Sequence, residues 1–215
     1  MGTYPAPNSV TYTGSTGEDW PFVNGDPGSQ KYTPLDQITP ENVSRLEVAW
    51  EVDVGQIPAS NASPIKIGDT IYTCNGLNQV FALDAATGET RWSHFGPTNY
   101  GGACRGVAYY EAPEVSGLCA ARIIAPYATA DLVALDAATG TPCPDFGDNG
   151  VLDLLEGMED HEGNIIDGYY RVTSAPLLAR GNVVVGGWIT DGQYWGEASG
   201  VIRAFDDQAM QPGEL

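Results

Sequence analysis

The phrase Val80-Phe81-Ala82-Leu83-Asp84-Ala85-Ala86-Thr87-Gly88 occurs again, almost letter for letter, as Leu132-Val133-Ala134-Leu135-Asp136-Ala137-Ala138-Thr139-Gly140. Each is a short β-rich run ending in an aspartate, whose carboxylate can accept N–H groups of the turn that follows. Each turn closes on a glycine that takes a left-handed conformation without steric cost. Val201-Ile202-Arg203-Ala204-Phe205-Asp206 repeats the strand alone, and Ser63-Pro64-Ile65 returns as Ser174-Ala175-Pro176-Leu177. Around the first phrase, Ile65 and Ile67 lead to a Gly68-Asp69 turn and Ile71–Cys74 form a second apolar run. Asn75-Gly76 is the dipeptide of a two-residue hairpin with φ > 0 at both positions. Trp92 follows on the next strand.

Similarity at a period near 50 residues, with about four strands per unit, reads as β-propeller blades. The alternative is a single sandwich holding two similar hairpins. The expectation is an all-β chain, a partial β-propeller over 19–206 that holds about three four-stranded antiparallel blades at roughly 46–92, 104–144 and 171–206. Twenty-seven glycines and fifteen prolines fit a turn-rich β fold. Propellers close with about four to eight blades, so three leave two apolar flanks without neighbours.

Outside the blades, residues 1–18 lack periodicity and read as a loose arm, and 207–215 as a truncated tail. Asp19-Trp20-Pro21 to Leu35 reads as an ordered, irregular lead-in. Thr39-Pro40-Glu41-Asn42 predicts a short helix capped by Thr39 and ending near Leu46. Leu46, Val48, Trp50 and Val52 alternate as a strand. Phe95–Leu118 is an insertion, and Glu156–Gly168 a solvated acidic loop.

Nine basic against 28 acidic residues give a net charge of −19, a field that repels nucleic acid and anionic lipid. No apolar run reaches the ~18 residues of a membrane span. Four cysteines allow three pairings, and Cys104 and Cys119 bracket the insertion. The set is compatible with an oxidising compartment. The absence of C-x-x-C argues against zinc and thioredoxin chemistry.

Ala82-x-Asp84-x-x-Thr87-Gly88-x-x-x-Trp92 resembles the tryptophan-docking motif of the quinoprotein dehydrogenases, eight-bladed propellers that bind pyrroloquinoline quinone (PQQ). Asp19-Trp20-Pro21 with Tyr32–Thr39 is similar to the segment before their first blade. Cys104-Arg105-Gly106-Val107-Ala108-Tyr109, Thr173-Ser174-Ala175-Pro176, and Thr190-Asp191 with Ser199–Arg203 resemble the membrane-bound glucose and quinate dehydrogenase branch.

That resemblance implies a cofactor with three carboxylates and an ortho-quinone, held by cations and hydrogen-bond donors. It also implies a Ca²⁺ or Mg²⁺ ion polarising the quinone. It places Arg105 on a cofactor carboxylate, the Thr173 hydroxyl on another, and Asp191 on the metal. Asn61 stands where the family has a glutamate, and Trp188 could flank the cofactor plane. Gly101 replaces a histidine that lies over the cofactor, Gly192 replaces an asparagine, and Pro144 stands in place of the second docking tryptophan.

The family's proton-abstracting aspartate belongs to a later blade, so no catalytic residue is assigned here. The expected parent is a periplasmic enzyme, anchored by an upstream segment. It would oxidise a sugar, polyol or other alcohol and pass electrons to a membrane quinone. The chain would be its N-terminal part or one chain of a split enzyme, inactive alone and completed by missing C-terminal blades. The competing class is a non-catalytic propeller scaffold, which has no need of Arg105, Thr173 and Asp191 at one place.

Each residue also has a plainer reading. Arg105 could bridge two blades, Thr173 satisfy a carbonyl, Asp191 sit in an Asp-Gly turn, and Trp188 pack in the core. Asp145–Asp153 mimics a calcium loop with the wrong spacing and reads better as a β-turn. Asp160-His161-Glu162 reads as solvated loop, and His94 as structural.

Overall fold

The computed structural model describes residues 17–55, 61–97, 101–113, 115–166, 168–179, 181–190 and 199–206. The first sheet comprises β1 (Ile65–Ile67), β2 (Thr70–Asn75), β3 (Gln79–Asp84) and β4 (Thr90–Phe95), antiparallel and in chain order. β5 (Ala108–Glu111), β6 (Ala121–Tyr127), β7 (Asp131–Asp136) and β8 (Val151–Asp153) form the second sheet in the same way. In the third, β9 (Tyr170–Val172) and β10 (Leu177–Ala179) pair successive stretches of β11 (Asn182–Ile189), and β12 (Ile202–Asp206) follows β11. Among the described residues no helix is long and apolar enough to cross a membrane.

Alternation along the strands makes the sheets stack. Tyr72, Ala82 and Trp92 lie in register across β2, β3 and β4. They pack with Ile123, Ala125, Val133 and Leu135 of the second sheet in one buried core. Ile124, Leu132, Ala134 and Leu152 point the other way and meet Tyr170, Val172, Val183 and Val185 of the third. The middle sheet is therefore buried on both faces, which is why β6 reads as a nearly continuous apolar run.

The two repeated turns form as the residues demand. Asp84 Oδ1 accepts the Ala86 and Thr87 N–H groups, both at 2.9 Å, and Gly88 takes φ +75°. Asp136 does the same for Ala138 and Thr139, with Gly140 at φ +72°. Each glycine lies under an indole. A Cβ on Gly88 would come 2.5 Å from the Trp50 ring, and one on Gly140 2.6 Å from that of Trp92. Trp92 thus docks on the turn of the following sheet, donating from Nε1 to Ala137 O at 2.9 Å, and Trp50 docks on the first turn through Ala85 O at 3.3 Å.

Arg91 donates to Asp84 Oδ2 at 2.7 Å and, with the Thr87 and Ala86 N–H groups, holds the Asp84 carboxyl down to about 2. A carboxylate held below its unfolded value of about 3.9 adds stability that is complete above that pH and is lost as pH falls through about 2. Asp84→Asn should therefore lower the thermal midpoint at pH 7, with the gap to wild type closing as pH approaches 2. A gap that does not change with pH would refute this account.

Several local expectations are corrected. Residues 46–52 form no strand and pair with no described one, and the first sheet begins at Ile65. Leu46 and Val48 are exposed, because alternation specifies a face and a strand also needs a neighbour. The predicted helix is a single 3-10 turn, Val43–Arg45. Asn42, not the Thr39 hydroxyl, ties its entry, accepting the Thr39 N–H at 2.8 Å and donating to Gln37 O.

The Asn75-Gly76 hairpin has a three-residue loop with its left-handed residue at Asn78, φ +58°. The second sheet runs past 144 to its fourth strand at Val151–Asp153. The disulfides are Cys74–Cys104 and Cys119–Cys143, so the bracketing pair 104/119 is not joined.

The lead-in is ordered as expected. Trp20 and Lys66 exchange main-chain hydrogen bonds at 2.9 Å, extending the first sheet beyond β1. Of the predicted arm only Gly17 and Glu18 are described, and Glu18 O accepts from Lys66 Nζ, so these two are tied down. The remaining arm and the tail 207–215 lie outside the described residues.

Candidate functional site

The first strands of the three sheets converge, and main-chain hydrogen bonds link the segments leading into them. Ser63, ahead of β1, donates its N–H to Arg105 O at 3.0 Å. Arg105, ahead of β5, donates its own N–H to Thr173 O at 3.1 Å, at the break between β9 and β10. On top of this ladder the Arg105 guanidinium donates from Nη1 to Thr173 Oγ1 at 2.6 Å. Two of the residues singled out in sequence are thus brought together, 68 positions apart in the chain.

Arg105 is exposed, and among the described residues no carboxylate lies within ion-pair distance of it. In a chain of net charge −19 that is a cation with no described carboxylate paired to it, at a point where three sheets meet. The fork carries five N–H donors, so the bond to Thr173 leaves most of its capacity for an anion. Asn61, two residues before Ser63, is exposed.

Trp188 lies across from Arg171 in the β9–β11 ladder, and the Arg171 guanidinium sits 4.0 Å from its ring centroid. The indole is 40 % exposed, so it is not a core residue. Asp191 and Gly192 lie outside the described residues, although Thr190 immediately before them is anchored by donating to Tyr169 O at 2.9 Å.

The plainer candidates resolve structurally. Asp145 pairs with buried Arg122 at 2.8 Å and Asp153 stands across from Asp131 in the β7–β8 ladder, so the calcium-like run disperses. Cys119, Cys143 and Asp145 cluster, but the two sulfurs are bonded to each other and the carboxylate serves Arg122. Asp160 closes its own loop by accepting from Glu162 and Asn164 N–H. His94 stacks on Tyr127, and burial lowers its pKa.

Sequence reasoning missed the anchoring of the Arg105 segment to the first sheet. Gly102 donates its N–H to Gly76 O at 2.7 Å, and a Cβ on Gly76 would collide with the Gly102 carbonyl oxygen. The available signal was the glycine of Asn75-Gly76, which serves this close approach and not a left-handed turn.

Four-stranded sheets stacked face to face, first strands converging and outer indoles docked on the next turn, define the chain as β-propeller. Comparison with known proteins narrows the class. The model for the PQQ glucose/ethanol/alcohol dehydrogenase β-propeller domain matches residues 20–210, and the chain belongs to that family. Quinoprotein glucose dehydrogenase of Escherichia coli (strain K12) is 38% identical, over 92% of this chain and 26% of its own length. The glycerol dehydrogenase large subunit of Gluconobacter thailandicus is 35% identical, over 89% and 27%. Among solved structures, the quinohemoprotein alcohol dehydrogenase of Comamonas testosteroni superposes with a TM-score of 0.71 at 23% identity, over 92% of this chain and 27% of its own. The chain therefore spans about a quarter of the length of the relatives it matches.

The donor set suits the family's cofactor. PQQ carries three carboxylates, and a guanidinium and a hydroxyl side by side are carboxylate ligands.

Proposed function

We propose that this chain is the N-terminal share of a PQQ-dependent dehydrogenase that oxidises a sugar, polyol or other alcohol and passes the electrons to a membrane quinone. The observation that carries the reading is the Arg105–Thr173 pair, an exposed cation and a hydroxyl 2.6 Å apart where three sheets converge. Arg105 binds a cofactor carboxylate through its fork, and Thr173 orients that fork while presenting its own hydroxyl. Asn61 contributes an exposed amide and Trp188 an exposed aromatic surface. Asp191 contributes a hard oxygen to Ca²⁺ or Mg²⁺.

PQQ, when bound, supplies the two-electron acceptor. The protein's part is to hold its carboxylates and exclude alternative orientations. The proton-abstracting base would come from the remaining blades, so the chain alone does not turn over. The parent works in the periplasm, where both disulfides persist. A scaffold would leave the pocket residues scattered, and the meeting of Arg105 with Thr173 favours the enzyme.

The test is a titration of the full-length protein with PQQ in Ca²⁺ or Mg²⁺, followed by quinone absorbance and dye-linked oxidation of glucose, glycerol and quinate. Saturable binding with activity on at least one of them is expected. No spectral change at any cofactor concentration would sink the reading.

A further inference from the structure

Arg105 stands in a stretch, 101–107, that has no strand ladder of its own before β5 begins. Such a stretch positions a long side chain only if something outside it holds its backbone. Two contacts with the first sheet do so. Cys104, the residue immediately before Arg105, is bonded to Cys74 near the end of β2, and both are buried. Gly102 donates to Gly76 O at 2.7 Å, with the two backbones in direct contact because Gly76 has no Cβ. The β2–β3 loop that receives them is itself fixed, since Asn75 donates to Val54 O at 2.6 Å and accepts the Leu77 N–H at 2.9 Å.

We propose that the Cys74–Cys104 disulfide and the Gly76–Gly102 contact together form a positioning clamp for Arg105, setting its guanidinium against Thr173 in readiness for a cofactor carboxylate. The proposal rests on the reading of Arg105 as a PQQ ligand. It assigns the sulfur bridge a role in cofactor affinity beyond stability. Anchored on the Cys104 side, and joined to Ser63 and Thr173 through its own carbonyl and N–H, the Arg105 backbone is held from all three sheets. Preorganisation of this kind reduces the ordering cost that binding must otherwise meet.

The second disulfide provides a matched control. Cys119–Cys143 closes a segment of similar length, with a separation of 24 against 30, but joins two loops of the second sheet. In the chain-entropy picture the two bridges stabilise alike, so a purely structural role would make their removal equivalent.

The experiment compares C74S/C104S with C119S/C143S in the full-length protein. It reads PQQ Kd by fluorescence titration and amide exchange over 101–107 and 171–175 without ligand. Loosening a charge-assisted carboxylate contact is expected to raise Kd by about tenfold or more in the first variant. Exchange should also quicken at both segments there, and neither should change in the second. Gly76→Ala, which displaces Gly102 while leaving the sulfurs in place, should reproduce the first variant and serves if that one does not fold. Equal effects from the two cysteine pairs, or no effect from the first pair and Gly76→Ala, would overturn the proposal. Should the wild type fail to bind PQQ, the cofactor reading falls, and the exchange comparison still decides whether the clamp holds Arg105.

Discussion

Trp92→Ala should cost about 3–5 kcal/mol of stability, the usual penalty for emptying a buried tryptophan site. The indole is only 9% exposed and bridges two sheets. Its Nε1 donates to Ala137 O at 2.9 Å, its ring lies on Gly140, and Tyr72 packs beside it with centroids 6.0 Å apart. Removing it opens a cavity between sheets that no local shift can fill, because both neighbouring backbones are held in ladders. Tyr72 Oη also donates to Ala137 O, at 3.0 Å, so that carbonyl stays satisfied and the loss is mostly packing.

Two further variants separate the contributions. Trp92→Phe keeps a ring and loses one hydrogen bond, worth about 1 kcal/mol. Trp50→Ala, at the half-buried equivalent with its longer 3.3 Å bond, should fall between them at about 1–2 kcal/mol. Urea midpoints of the three variants measure the series. A Trp92→Ala variant within about 1 kcal/mol of wild type would show that the sheets do not depend on this docking.

The repeat was legible because its residues act locally. Aspartate, threonine and glycine at fixed offsets build the same turn wherever they occur, and Asp84 and Asp136 bond their turns alike. Which turn an indole caps is a long-range matter. Trp92 reads in sequence as the end of the first motif, yet it belongs to the second turn, and Trp50 takes the first. The same limit explains residues 46–52. Their alternation is real, but pairing depends on a neighbouring strand that alternation cannot announce.

The site divides along the same line. Arg105 and Thr173 were recognisable from the motifs around them, since the resemblance attaches to short contiguous segments. The clamp under Arg105 was not, because its members Cys74, Gly76, Gly102 and Cys104 come from two separated stretches. Cysteine counting leaves three pairings, and spacing drew attention to 104 and 119, whereas the fold brings 104 to the end of β2.

Arg105→Ala should weaken PQQ binding by about 10- to 100-fold, the range of one hydrogen-bonded contact between charged groups. Stability should change little, because the side chain is exposed and its bond to Thr173 is made at the surface. Arg105→Lys should recover only part of the loss. An ammonium keeps the charge but cannot give the planar two-point contact a carboxylate accepts from a guanidinium, nor hold the Thr173 hydroxyl at the same time. Thr173→Val should sit between wild type and Arg105→Ala, since it removes the hydroxyl that fixes one arm of the fork at 2.6 Å. Arg45→Ala supplies the comparison, because that exposed guanidinium lies in the 3-10 turn ahead of the first sheet and its loss removes charge without touching the Thr173 contact or the Trp188 ring. If Arg45→Ala and Arg105→Ala weaken binding equally, the effect is one of general electrostatics. The specific role then belongs to no single arginine. If only Arg105→Ala does so, and lysine rescues it incompletely, the anion is held by the geometry of the fork.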